Sequence, residues 1–165
     1  MENAFLQEVI AKLQEKYPSI QVENDQFGMT NITLEKGDLL SLVGTLKNDL
    51  GFGFLTDICG AHYPHVSGAE FQVVYHIQNM VKNTRLRLKL NLSTDQLSVP
   101  TLVNLYSGAN WMERETFDFY GIDFEGHPDL RRILNMEDMD YHPMRKEYAL
   151  EDETRDDKND SFFGR

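Results

Sequence analysis

The densest group of charged residues lies within one predicted helix, just before the glycine at position 121. The group consists of Glu113, Arg114, Glu115 and Asp118. Carboxylates placed close together serve acid–base catalysis in many enzymes, so this helix is the first place to look for chemistry. The surrounding sequence supplies no nucleophile constellation and no glycine-rich phosphate loop. Catalysis is therefore the weakest of three interpretations of this helix.

Basic residues follow the helix closely and favour the other two interpretations. The four charged helix residues sum to −2, and Arg131 and Arg132 bring +2, with His127 as an adjustable further charge. Between them lie residues that let the chain turn back on the helix: Gly121, Gly126 and Pro128. Aromatic residues flank the charges, which predicts burial, and a buried charge needs a partner.

Two arrangements satisfy that need. In the first, an internal salt-bridge network fastens the helix to its following loop, with Arg114 paired to Glu115 or Asp118, so that removing Arg114 costs about 3 kcal/mol or more. In the second, the segment is a protein interface, because interface cores favour aromatic residues and arginine. The residues themselves leave both open.

A metal-dependent enzyme is an alternative of another class. Its ligands would be Cys59, His62 and His65, three residues apart, with His127 and His142 elsewhere. Residues three apart in an extended chain point to opposite faces, and Pro64 interrupts the set, which argues against a shared metal ion. The single cysteine also cannot hold an iron–sulfur cluster, which takes about four thiolates.

Charge argues against nucleic acid as a partner. Arg85, Arg87 and Lys89 alternate along one predicted strand and resemble the basic face of an RNA-binding sheet. The net charge of −11 opposes phosphate backbones and anionic lipid surfaces alike. The sequence also lacks an apolar run of membrane-spanning length and a signal peptide, so we expect a soluble chain made in the cytoplasm, with membrane contact only through a protein partner.

Hydrophobic periodicity predicts the elements that position these residues. Helices are expected at residues 3–17 and 39–50, and strands at 32–34, 54–58, 71–77 and 86–92, the last two forming an antiparallel hairpin. A short helix is expected at 101–106. A third helix is expected to start with Asn110 as its N-cap and Glu113 as its capping-box residue, and to end at Gly121.

These elements predict an α+β fold: a mixed or antiparallel sheet with helices packed on one face, followed by an extended C-terminal arm. We divide the chain into an α+β domain at residues 1–144 and an acidic arm at residues 145–165. The arm begins with Arg145 and Lys146 and carries Phe162 and Phe163 near its end. We expect it to order along a partner, with the two phenylalanines as anchors.

The charged segment also resembles a known family. The ungapped run from Glu113 to Leu134 matches the signature of the 30 kDa subunit family of respiratory complex I, which in bacteria is the C subunit of NADH:quinone oxidoreductase: E-R-E-x-x-D, then a histidine and an arginine at fixed distances. Weaker similarity extends over most of residues 28–150. The chain departs from the family pattern at Tyr106, Tyr141, Met144 and Glu147, which affects local packing more than membership.

The resemblance implies a connecting subunit of the peripheral arm of the complex, docked against the iron–sulfur and quinone-site subunits on the cytoplasmic side of the inner membrane. It also implies no cofactor in this chain, since flavin mononucleotide, iron–sulfur clusters and quinone are bound by partner subunits. Enzyme activity would then belong to the complex as a translocase. The equivalent subunit of a complex I-like membrane-bound hydrogenase remains an alternative.

Overall fold

A mixed five-stranded sheet forms the centre of the computed structural model, which describes residues 4–148. Its strands are β1 (Gln21–Asn24), β2 (Thr30–Thr33), β3 (Phe54–His62), β4 (Phe71–Asn79) and β5 (Thr84–Leu92). Their order across the sheet is β1-β2-β5-β4-β3. All neighbours are antiparallel except β2 and β5, which run parallel. The predicted hairpin is confirmed as β4 and β5, paired from Phe71 with Leu92 to Asn79 with Thr84.

Strict alternation explains how β4 and β5 divide the core from solvent. Every second residue of each strand is buried, beginning with Phe71 in β4 and Thr84 in β5. The intervening residues, including Arg87 and Lys89, face the opposite side of the sheet, away from the hydrophobic core. A period of two therefore sets the register of both strands.

Two helices cover the apolar face. They are α1 (Ala4–Lys16) and α2 (Leu39–Asn48), which agrees with the helices predicted at 3–17 and 39–50. Val9 and Leu13 from α1 and Leu42 and Leu46 from α2 join the inward residues of the sheet in one hydrophobic core. Helical spacing predicted these elements correctly because the residues that carry the spacing are the buried ones.

A third helix and a small second sheet complete the described chain. Helix α3 (Ala109–Tyr120) packs mainly on β3, and β6 (Ser98–Pro100) pairs parallel with β7 (Asp123–Glu125). The α+β class is confirmed. β1, β6 and β7 were not predicted, and β3 extends four residues beyond the expected end at Ile58.

Two local predictions around α3 were wrong. Residues 101–106 form one hydrogen-bonded turn, closed by the Tyr106 N–H on the Leu102 carbonyl, and not a helix. Asn110 lies inside α3, whose N-cap is Gly108 without a side-chain cap. Glu113 cannot complete a capping box, because its carboxylate points into the protein and binds the turn before the helix.

Candidate functional site: the charged helix and its capping loop

Helix α3 ends at Gly121, which has φ 72°. A Cβ atom built at this glycine would lie 2.6 Å from Nε2 of His142 and 2.6 Å from Nη2 of Arg145. Both the left-handed backbone and the close approach of two side chains therefore require glycine. The predicted end of the helix is confirmed, and the chain beyond it returns to cover that end. We call residues 126–148 the capping loop.

Asp118 is the residue around which the capping loop folds. Its side chain is fully buried. One carboxylate oxygen accepts hydrogen bonds from three successive backbone N–H groups, those of Ile133, Leu134 and Asn135, at 2.8–3.1 Å. The other accepts from the Arg132 guanidinium at 2.7 Å and from the Asn135 amide at 3.1 Å. Five donors thus converge on one carboxylate.

These donors decide the charge of Asp118. Burial alone would raise the pKa of its carboxyl group, but the backbone N–H groups of Asn135 and Leu134, the Arg132 guanidinium and the Ile133 N–H lower it more. The net pKa lies well below the usual range for aspartate. Asp118 is therefore an anion at any physiological pH, and its negative charge is neutralised inside the protein.

Arg132 connects three parts of the chain. Besides the Asp118 carboxylate, its guanidinium donates to the Asp118 carbonyl at 3.1 Å and to the carbonyls of Met139 and Tyr141, each at 2.8 Å. Only about 10% of its side chain is exposed. The planar guanidinium can satisfy all of these acceptors at once, a geometry that a lysine cannot reproduce.

The capping loop also satisfies the carbonyl groups that every helix leaves unpaired at its C-terminus. The Asp118 carbonyl accepts from Arg132 and from Nδ1 of His142, at 3.0 Å for the latter. The last two carbonyls, of Phe119 and Tyr120, accept from the Met144 N–H and from Nε of Arg145. Because the donors include two guanidinium groups, they also complement the negative end of the helix dipole.

Glu113 lies in a different environment on the same helix. Its carboxyl group is fully buried and meets two donors, the Thr101 hydroxyl and the Leu102 N–H, the latter at 2.7 Å. Burial outweighs these two bonds and raises its pKa to about 7. The Tyr75 hydroxyl is also buried and lacks a hydrogen-bond partner among residues 4–148. Burial and the charge of Glu113 raise its pKa.

The remaining charges correct the predicted network. Arg114 pairs with neither Glu115 nor Asp118, and instead donates to the carbonyls of Arg131 and Arg132 at 3.1 Å each. Glu115 is exposed. Arg131, with about 60% of its side chain exposed, forms surface ion pairs with Asp129 and Glu137. The network is thus internal, as one interpretation predicted, but Arg132 rather than Arg114 is its cation.

His127 holds the start of the capping loop against the start of α3. Its Nδ1 accepts the Asp129 N–H at 3.0 Å, and its Nε2 lies 3.2 Å from the Asn110 carbonyl, to which it donates. These two bonds specify the tautomer with hydrogen on Nε2. Pro128, which lies between His127 and Asp129 in the sequence, is exposed.

The predicted arm begins on the surface of the domain. Arg145 binds the end of α3 and lies over the Phe71 ring, with 5.1 Å between its guanidinium carbon and the ring centroid. The Lys146 N–H donates to Nδ1 of His62 at 3.0 Å. The division at residue 144 stays a prediction. Phe162, Phe163 and the acidic run lie outside the described residues.

The suspected metal ligands do not come together. Among residues 4–148, no three histidine, cysteine or acidic side chains are placed to hold a metal ion. His62 stacks on Phe71 and uses Nδ1 to accept the Lys146 N–H, while Cys59 faces the exposed side of β3. Arg87, on β5, belongs to the basic run that resembles an RNA-binding face. Its guanidinium donates hydrogen bonds to Asp25, Asn31 and His76.

Three residues of the site were not predicted from the sequence. They are Thr101, Asn135 and His142, each bound to a buried group of α3 or to its final carbonyls. The sequence indicated His142 as a possible metal ligand and as part of the basic stretch that resembles the family, but not as a partner of α3. For Asn135 the sequence contains no signal, because it lies 17 positions from Asp118 in a segment without periodicity.

The chain is similar to known proteins over most of its length. The family model for the 30 kDa subunit of respiratory-chain NADH dehydrogenase matches residues 32–154, which include α3 and the whole capping loop. The chain belongs to this family. The NADH-quinone oxidoreductase C subunit of Citrifermentans bemidjiense is 34% identical over 89% of this chain and 91% of its own length. The corresponding protein of Rhizobium rhizogenes is 42% identical over 74% of this chain, but that match spans only 62% of the relative.

Solved structures share the fold of this family member. A trypsin-resistant fragment of Nqo5 superposes with a TM-score of 0.67 and 29% identity, over 76% of this chain and 99% of the fragment. A chain of a membrane-bound sulfane sulfur reductase, an archaeal respiratory membrane complex, superposes with a TM-score of 0.74 at 22% identity, which shows the fold alone. No helix within residues 4–148 is long and apolar enough to cross a bilayer.

Proposed function

We propose that this 30 kDa-family chain is a cofactor-free connecting subunit in the peripheral arm of a proton-translocating NADH:quinone oxidoreductase. It docks there against the subunits that carry iron–sulfur clusters and form the quinone site. In this proposal the chain is attached to the cytoplasmic side of the inner membrane through the complex. Electron transfer takes place in its neighbours, and this chain positions them.

The observation that carries the proposal is how the signature residues use their polar groups. Asp118 and Arg132 are bound to each other and to backbone groups of α3 and the capping loop. A catalytic acid, base or nucleophile must keep an atom available for substrate. These side chains instead fix a helix and a loop against each other, which is what a rigid connector requires.

The charge of the chain also supports docking through protein. A net charge of −11 repels anionic lipid headgroups and phosphate backbones, and attracts basic protein surfaces. A single cysteine leaves no thiolate set for an iron–sulfur cluster. The membrane-bound hydrogenase setting differs from this proposal only in the identity of the neighbours.

Co-purification tests the proposal. The full chain, tagged and expressed in its own host, is recovered from solubilised native membranes, and its partners are identified by mass spectrometry. We expect iron–sulfur and quinone-site subunits, NADH:quinone activity in the preparation, and no flavin or cluster absorbance in the chain expressed alone. Hydrogenase partners would replace the proposed complex with its alternative, and a stoichiometric chromophore in the isolated chain would refute the cofactor-free role.

A further inference from the structure

Strand β3 forms an open edge of the five-stranded sheet. It pairs with β4 on one side, and no strand within residues 4–148 pairs with the other. Half of the backbone N–H and C=O groups of such a strand face away from its neighbour and can pair with another chain. Within β3, the Ile58 carbonyl already accepts the Thr116 hydroxyl of α3 at 3.5 Å. β3 is nine residues long, and Asp57 is its only charged residue apart from His62 at its end.

Three cavities adjoin β3 or the segments next to its ends. The first, about 290 Å³, adjoins the start of the strand at Phe54. The second, also about 290 Å³, lies at Cys59, between the strand and α3. The third, about 390 Å³, adjoins the end of the strand at His62 and the loop after it. No β4 residue lines any of the three.

The size of the cavities fits single side chains of a polypeptide better than a small molecule. Each is near the lower limit of roughly 300 Å³ for small-molecule sites. The strand residues that adjoin them, Phe54, Cys59 and His62, are five and three positions apart, so side chains at the same spacing on an added strand would point alternately to its two faces.

The middle cavity favours a cation. Asp57 and Glu115 line it, and within residues 4–148 Glu115 makes no hydrogen bond or ion pair. The nearest base to Asp57 is His76 at 3.9 Å, and burial together with Arg87 lowers the pKa of that ring, which leaves it neutral at pH 7. Burial raises the pKa of the Cys59 thiol to about 11, so it adds no charge.

Aromatic and apolar groups complete the recognition surface. The rings of Phe119 and Tyr120 line the middle cavity, where they can receive a guanidinium or ammonium group. The third cavity is lined by Tyr63, Pro64 and Val66, whose exposed apolar groups suit an apolar side chain.

We propose that an extended segment of a neighbouring subunit adds to the open edge of β3. It places a lysine or arginine in the cavity at Asp57 and Glu115. The inference rests on the proposed function, since it requires an assembled complex. The backbone contacts supply affinity and the acidic cavity supplies specificity.

Cys59 provides a direct test, because it is the only cysteine of the chain and lies in the middle cavity. The full chain, alone and in the purified complex, is treated with N-ethylmaleimide, and modification of Cys59 is followed by mass spectrometry. We expect modification to be at least tenfold slower in the complex. Equal rates would overturn the inference.

Two comparisons make this test specific. If Cys59 is slow in the free chain and becomes fast after residues 149–165 are removed, the chain's own C-terminal segment covers the edge and the inference is wrong. If the chain is absent from the complex altogether, the proposed function fails instead. If the chain is present in the complex and Cys59 is still modified rapidly, the proposed function stands and only the inference of an added strand is wrong.

Charge reversal tests the cation. Asp57→Lys with Glu115→Lys should reduce the recovery of the chain with the complex at least tenfold, since a basic side chain would then meet two lysines. The matched control is Glu15→Lys with Glu23→Lys, which reverses two exposed acids on α1 and on the opposite edge strand. Melting temperatures verify folding. If the charge-reversed chain misfolds, Asp57→Asn with Glu115→Gln replaces it in the test. Recovery with the complex equal to that of the control variant would contradict the proposal.

Discussion

Glu113 and Asp118 are both fully buried carboxyl groups on α3, five residues apart, yet their pKa values shift in opposite directions. Burial raises the pKa of each. Glu113 meets two neutral donors, and its pKa remains raised at about 7. Asp118 meets five donors, including a guanidinium, and its pKa is lowered. The number and charge of the donors, weighed against the effect of burial, therefore decide which carboxyl group is an anion.

The two carboxyl groups consequently stabilise the protein in different ways. Asp118 acts as a fixed anion around which residues 132–135 are arranged, so the capping loop depends on its charge. Glu113 joins α3 to the turn at Thr101 and exchanges a proton near neutral pH. The charge of Asp118 should therefore be insensitive to pH near neutrality, whereas the charge of Glu113 should change with pH there.

The largest effect is expected at Asp118. Asp118→Asn keeps the shape of the side chain, but every group facing its two oxygens is a donor, so neither orientation of the amide fits. Breaking a buried charge pair costs about 3–5 kcal/mol. We expect that loss in the free energy of unfolding, measured with urea at pH 7 on the full chain.

The control for this variant is Asp129→Asn. Asp129 is an acid of the same loop whose side chain is about 58% exposed and whose partner is the exposed Arg131. Surface pairs of this kind contribute at most about 1 kcal/mol. Similar losses in the two variants would show that Asp118 is not the centre of the capping loop.

Glu113 should give a smaller, pH-dependent effect. Its folded pKa of about 7 lies above the unfolded value, so the folded state binds the extra proton between the two. The stability from this group is complete below about pH 4.3 and is lost as pH rises through 7, by roughly 3 kcal/mol at most. The free energy of unfolding of Glu113→Gln should equal that of the wild type near pH 4.5 and exceed it at pH 8.

Urea unfolding at these two pH values measures the difference. Glu115→Gln, on the exposed side of the same helix, is the control and should track the wild type at both. A gap between Glu113→Gln and the wild type that is the same at pH 4.5 and pH 8 would mean that Glu113 does not titrate in this range.

Sequence alone predicted those parts of the fold that repeat. Alternation in β5 and helical spacing in α1 gave correct predictions, because burial of one face imposes both patterns. The charged segment was also identified, down to the end of α3 at Gly121. Arg132 was expected to balance the charges of the helix, but its further partners, the carbonyls of Met139 and Tyr141, were not predicted, because any residue has a carbonyl. A turn that satisfies backbone groups leaves no pattern in side-chain types.

Arg114 and Arg131 give the smallest difference and sharpen the distinction between buried and surface charges. Both are arginines near the same loop, but Arg114 donates to two backbone carbonyls of that loop, whereas Arg131 meets only exposed carboxylates. Hydrogen bonds from a charged donor contribute about 1.5–3 kcal/mol when protected from water, and partial exposure reduces this. Arg114→Ala should therefore cost about 1–2 kcal/mol, below the loss expected if it neutralised a buried acid, and Arg131→Ala about 0.5 kcal/mol or less.

Urea unfolding of both variants in low and high salt, about 0.05 and 0.5 M, separates the two contributions, because salt screens the Arg131 pairs and leaves the Arg114 bonds largely unchanged. A loss of about 3 kcal/mol or more at Arg114 would mean that it is, after all, the cation of a buried pair.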